Sequence, residues 1–292
     1  MVYTIENDRI AVQISDMGAE LQSIKLKADG TEYLWQGDAA YWSGRAYNLF
    51  PICGRLTEGK YTFEGKTYEM NLHGFARKTV FSVCEQGAEH ICFHLAADEA
   101  SRAQYPFDFD LKLLYTLEGT GVKTTFLVKN EGADTMIFAV GGHPGFNVPL
   151  ADGEVFEDYY LEFDCEKPAR AITMSPTCYT TRDSQPFSLE GGKILTLRHN
   201  LFDNDAIVLE DMCKAVTLKS KKSDKQVRVE YPDMNYLGLW HAPKTEAPYV
   251  CLEPWYSVPA YDGLVDDLST KRDMIHLKSG EAYENSYVIR VK

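Results

Sequence analysis

A chain of 292 residues, 45% hydrophobic and 25% charged, has the balance of a globular protein long enough to bury a large core. Its formal net charge of −13 at pH 7 argues against nucleic acid and anionic membranes as partners, since both select clustered Lys and Arg. Seven cysteines, an odd number without a CxxC pair, argue against a disulfide framework or a zinc site and predict a reduced, cytoplasmic protein.

The N-terminal MVYTIENDRIAV lacks a basic segment leading into an apolar one, and no apolar run of about 18 residues follows. PICGRLTEG then presents Arg55, whose guanidinium fork suits hydroxyl pairs, carboxylates or phosphates. KYTFEGKTYEM reads as a hairpin turning at Glu64-Gly65, and LHGFAR adds His73 and Arg77. Taken singly, each of these three is as well explained by a surface arginine or a strand-end histidine. VFSVCEQGAEHICFHL is a second hairpin. Its His90 and His94 could share a metal on a helix, but on a strand they stand about 13 Å apart, too far for one ion.

FDFDLKLLY places Phe107, Phe109, Leu111, Leu113 and Tyr115 on one face of a strand. The turn EGTG leads it into VKTTFLVKN, a third hairpin. GGHPGF follows, with His143 in an apolar strand between a glycine pair and a proline. NLFDNDAIVLE sets Asp203 ahead of an apolar strand, where turn chemistry alone would account for it. AVTLKSKKSDKQVRVEY is a fourth hairpin. VCLEPWYS repeats the His143 pattern with a carboxylate: Glu253 stands among Cys251, Leu252 and Trp255 and is followed by Pro254. A proline biases the preceding residue to extended geometry and interrupts the ladder, a place where side chains are re-aimed into sites. Gly141 and Gly142 would let a ligand approach the backbone, and Trp255 offers a flat apolar face. A buried histidine satisfied by one hydrogen bond is the plain alternative for His143. Glu253 is harder to dismiss, because carboxylates are almost never buried without a partner.

The period-two pattern runs from end to end. There is no long 3.6-residue stripe, repeat or Pro/Ser linker. The expected architecture is all-β: one large antiparallel β-sandwich domain over residues 1–292.

In order and spacing, GRLTEGKYTFEGK, LHGFAR, GGHPGFNV, FDNDAIVL and CLEPW resemble the aldose 1-epimerase (galactose mutarotase-like) family, in its LacX-type branch. The resemblance implies a twisted β-supersandwich and the interconversion of α and β anomers of free aldohexoses. It implies His143 as catalytic acid and Glu253 as catalytic base. Arg55, His73 and Asp203 would hold the sugar hydroxyls or the ring oxygen, with Arg77 at the rim and Trp255 beside Glu253. It implies neither a metal nor an organic cofactor, and a small sugar as the partner. CGRL and HGFAR depart from the galactose mutarotase pattern, and HGFAR also resembles the hexose-6-phosphate 1-epimerase branch. That activity, or sugar binding without turnover, is the alternative. Anomer exchange needs a base at O1–H and an acid at O5, which Glu and His supply between their ordinary pKa values of about 4.3 and 6.5. Asp203 is expected to raise the imidazole, and apolar Trp255 the carboxyl.

Overall fold

The computed structural model describes residues 1–164 and 168–292. Two large antiparallel sheets face each other. One has nine strands, in the order Ile194–Thr196, Tyr159–Phe163, Ala215–Ser220, Gln226–Glu230, Ala282–Val291, Gly121–Asn130, Phe109–Glu118, His90–Ala96 and Ser82–Gln86. The other has seven, in the order Thr180–Phe187, Ala169–Met174, Ile207–Glu210, Tyr236–Trp240, Tyr249–Trp255, Gly141–Asn147 and Ala46–Leu49. A three-stranded sheet, Val2–Glu6, Ile10–Ser15 and Leu21–Leu26, and two ribbons complete the sandwich. Helix is limited to Glu99–Gln104, capped by Asp98, and short 3-10 turns. The all-β antiparallel sandwich is thus observed, and no helix among the described residues is long and apolar enough to cross a membrane.

Each of the four hairpins forms as its sequence predicts: Lys60–Phe63 with Lys66–Glu69, Ser82–Gln86 with His90–Ala96, Phe109–Glu118 with Gly121–Asn130, and Ala215–Ser220 with Gln226–Glu230. Period-two burial is clearest in Phe109–Glu118, where Phe109, Leu111, Leu113 and Tyr115 are buried and Asp110 and Lys112 are partly exposed. His90 and His94 lie on a strand and take separate carboxylates, Glu85 at 3.0 Å and Asp110 at 2.6 Å, so they share no site.

The sheets close on each other through large side chains. Tyr115 of the nine-stranded sheet accepts a 2.8 Å hydrogen bond from Asn48 Nδ2 of the seven-stranded sheet. A Cβ on Gly142 would lie 2.7 Å from the Tyr287 ring, and one on Gly141 would lie 3.0 Å from Cys53 Sγ. Gly142 therefore serves the packing between the two sheets, and Gly141 the close packing of Cys53 and Trp255. Cys53, Cys84, Cys92, Cys178 and Cys251 are free thiols. Cys165 lies outside the described residues.

Candidate active site

The central strands Gly141–Asn147 and Tyr249–Trp255 pair antiparallel, with Gly141 opposite Trp255 and Gly145 opposite Cys251. That register sets His143 opposite Glu253. Facing side chains in an antiparallel pair have Cβ atoms about 5 Å apart, so two long polar side chains must meet. They do: His143 Nε2 lies 3.2 Å from Glu253 Oε2. Both residues are buried, at 7% and 1% exposure. Hydrogen bonds from the rest of the protein leave His143 Nδ1 and Glu253 Oε2 unpartnered among the described residues.

The pair forms the floor of a cavity of about 360 Å³, at the small end of the range for small-molecule sites. Its walls hold Arg55, His73, Arg77, Asp205, Trp240 and Trp255. His73 adopts a left-handed backbone, φ 63°, a conformation that costs energy in a non-glycine residue. Its N–H donates to the Gly54 carbonyl at 2.7 Å, and its Nδ1 accepts from the Gly54 N–H at 3.0 Å. Nδ1 is thereby committed as an acceptor, so the neutral ring carries its proton on Nε2 and remains a donor. Arg55 Nη2 lies 3.3 Å from Asp205 Oδ2, and the Trp240 indole N–H donates to Asp205 Oδ1 at 2.8 Å. Arg77 is half-buried, its guanidinium over the Tyr47 ring at 5.0 Å and its Nε donating to the Leu72 carbonyl at 3.0 Å. It forms no ion pair among the described residues.

Of the seven residues predicted for the site, six line this cavity: His143, Glu253, Arg55, His73, Arg77 and Trp255. Asp203 does not. It closes the 3-10 turn His199–Phe202 with helical backbone, and it faces an adjoining groove. Two residues on, Asp205 takes a left-handed φ of 77°, which turns its carboxylate to Arg55 and Trp240. Asp205 is thus the carboxylate of this segment that lines the cavity, and Asp203 lines the adjoining groove. FDND holds two aspartates two residues apart, and nothing in their spacing tells which one the turn will point inward. Trp42, Tyr47 and Trp240 also enter the site without a sequence signal, from segments whose motif content is ordinary.

The electrostatics also differ from expectation. Burial pushes the His143 imidazole down to about 3, with Arg77 acting in the same direction. Burial, with Asp205 adding to it, pushes the Glu253 carboxyl well above its ordinary value, while the Trp255 indole pulls it down. The physical reason is desolvation, which penalises whichever form is charged. The carboxyl is raised by its apolar surroundings, as expected, but the imidazole is lowered and not raised. Burial thus favours an uncharged acid beside an uncharged imidazole. This arrangement holds the same number of protons as a carboxylate and an imidazolium.

Cys251 Sγ, His143 and Glu253 bring donor atoms within 4.8 Å of one another. Holding a cation there would require deprotonating a fully buried thiol, which burial and Glu253 already push well above its ordinary value.

Comparison with known proteins identifies the family. The family model described as aldose 1-epimerase matches residues 1–290. The chain is 38% identical over 264 residues to the chromosomal protein LacX of Lactococcus lactis subsp. lactis, covering 87% of each chain. It superposes on a galactose mutarotase related enzyme from Lactobacillus acidophilus with a TM-score of 0.95 at 36% identity, covering 100% of this chain and 97% of the other. For a galactose mutarotase-like protein from Lactobacillus casei the TM-score is 0.94 at 31% identity, covering 100% of both chains. Fold, cavity and the order of its motifs converge, and the chain belongs to the aldose 1-epimerase family.

Proposed function

We propose that the protein is a mutarotase that interconverts the α and β anomers of free aldohexoses, with His143 and Glu253 as its acid–base pair. The observation that carries this reading is the 3.2 Å contact between the two buried groups that line the cavity. A proton moving from Glu253 to His143 across that contact yields carboxylate and imidazolium without any exchange with solvent. The cost of the charge separation falls once sugar hydroxyls fill the cavity and supply dipoles to both groups.

Glu253 then takes the proton from O1–H as His143 delivers one to O5. The C1–O5 bond breaks and the O1–C1 bond becomes a carbonyl. Rotation about C1–C2 presents the other face, O5 re-attacks, and both protons return. No atom or electron is gained or lost. His73, held as an Nε2–H donor, and Arg55, held by Asp205, are the groups that fix hydroxyls around the ring.

A second reading, 6-phosphorylated aldoses, is favoured by one observation: Arg77 carries a positive charge with no carboxylate partner among the described residues. A dianion ordinarily meets more than one such fork, and the field of a chain at −13 opposes it. Free sugars are therefore the expected substrates. Polarimetry of fresh α-glucose and α-galactose, with glucose 6-phosphate followed by NMR exchange, tests this. Catalysed mutarotation of the free sugars is the expected result. A higher kcat/KM for the 6-phosphate would establish the second reading, and no rate above the spontaneous one for any of them would leave a binding protein.

A further inference from the structure

A histidine that moves protons is ordinarily held in plane by a hydrogen bond to its second ring nitrogen. His143 is not: no other residue among those described offers its buried Nδ1 a hydrogen bond. What lies against the ring instead is Trp42, stacked at 4.7 Å between centroids and 29° between planes. We propose that Trp42 is a positioning residue that fixes the plane of the His143 imidazole by stacking, in place of the hydrogen bond the ring lacks. The proposal rests on His143 being the proton donor to the sugar.

The surroundings are built to hold that stack. The indole of Trp42 meets Tyr47 edge-on at 5.4 Å and Trp240 edge-on at 5.7 Å. Its backbone is fixed from two sides: its N–H donates to the Asp38 carbonyl at 2.9 Å, and its carbonyl accepts the Trp35 indole N–H at 2.9 Å. Two glycines clear the space for the ring. A Cβ on Gly145 would lie 3.1 Å from the Trp42 ring, and one on Gly44 would lie 2.6 Å from it. Gly145 is also tied to the Trp42 loop through both of its backbone groups, donating to the Arg45 carbonyl at 2.8 Å and accepting from the Trp35 N–H at 2.9 Å. The strand that carries His143 and the loop that carries Trp42 are thus locked together two residues from the imidazole.

Stacking has a second consequence. An indole face attracts a cation, so it favours the imidazolium that forms when His143 takes the proton from Glu253. A hydrogen bond to a carboxylate would do the same, but would charge the cavity permanently. The aromatic contact adds no charge to it.

The test is a double-mutant cycle with kcat and KM read separately. Trp42→Leu is expected to lower kcat by about 10- to 100-fold, as for a misplaced reacting group, with KM within ~3-fold of wild type. Trp42→Phe, which keeps a ring on the imidazole, should recover kcat to within ~3-fold. In a His143→Asn background the further loss from Trp42→Leu should shrink below ~3-fold, because there is no imidazole left to hold. A raised KM with kcat unchanged would make Trp42 a platform for the sugar and overturn the proposal. So would an equal kcat loss in both backgrounds. Should Trp42→Leu fail to fold, Gly145→Ala crowds the indole without touching the sugar, and the same two outcomes decide. A wild-type rate in His143→Asn alone would instead defeat the acid–base reading on which the proposal rests.

Discussion

The nine-stranded sheet and the pair of central strands in the seven-stranded sheet are both buried β-structure, yet they are made differently. In the nine-stranded sheet apolar side chains alternate with polar ones, and the polar ones find partners: Arg228 binds Asp164 and Glu230, and Arg290 binds Glu118 and Glu230. Along Gly141–Phe146 and Tyr249–Trp255 every residue is buried, a proline interrupts each strand, and two ionisable groups lie against each other at 3.2 Å. Paired charges on one sheet hold a shape. Unpaired lone pairs at the floor of a cavity destabilise the fold unless something else uses them. The contrast teaches where function resides: in the part of the sandwich that a design for stability alone would have made differently.

Breaking each region should therefore fail in a different currency. His143→Asn is expected to lower the mutarotation rate by at least ~100-fold while the protein stays folded. Phe126→Ala, in a fully buried position of the nine-stranded sheet, should cost about 3–5 kcal/mol of stability and leave the rate per folded molecule near wild type. Equilibrium unfolding in urea beside polarimetry separates the two. A catalytic loss in Phe126→Ala equal to that in His143→Asn would erase the distinction.

Acid should distinguish the regions next. The folded-state pKa of His143 is depressed to about 3 from an ordinary 6.5, and burial pushes His73 well below its ordinary value. A depressed histidine contributes stability above the unfolded pKa, and that contribution is lost as pH falls from 6.5. The scaffold carboxylates Asp164 and Glu230 are held below their ordinary values of 3.8 and 4.5, for Asp164 by Arg228 first and for Glu230 by Arg228 and Arg290 against burial. Their contribution is lost only below about those pH values. Between pH 6.5 and 4.5 each histidine that burial depresses, His143, His73 and also His241, should remove on the order of 1 kcal/mol per pH unit, while Glu253, whose carboxyl burial raises, acts in the opposite sense. Urea midpoints at pH 7 and pH 5 should fall less for His143→Asn than for wild type; equal falls would contradict this.

Arg77 sits at the edge of the comparison, in the cavity wall but unpaired. Arg77→Ala should cost no more than ~10-fold in kcat/KM for a free sugar, as expected for one rim contact. A selective loss of activity on glucose 6-phosphate would assign it to phosphate. The smallest effect is expected from chelation: EDTA-treated protein should retain its full rate, because the chemistry proposed needs only two proton-transfer groups. Loss on chelation with recovery on adding metal would refute that.

The sandwich was legible because its information is periodic. Alternation in FDFDLKLLY and the turn chemistry of EGTG specify a strand pair without reference to anything distant. His143 and Glu253 were legible for the opposite reason, since ionisable groups before proline in apolar strands break that pattern. Asp205 was not, because its direction depends on a left-handed turn that FDND does not announce. Trp42 was not, because its role arises from a stack across 101 positions of sequence, cleared by a glycine at 145. The protonation of the pair was not, because burial is a property of the whole fold and here outweighs nearby charges.

The acid–base pair is tested most directly by Glu253→Gln. Glu253 is buried, and burial favours its uncharged form, so the amide preserves its shape and removes the carboxyl group's capacity to give and take a proton. Thermal unfolding at pH 7 and sugar binding should stay near wild type, while polarimetry of fresh α-galactose shows the catalysed rate falling by at least ~100-fold. A variant that folds, binds sugar and mutarotates it at the wild-type rate would remove Glu253 from the chemistry and contradict the account.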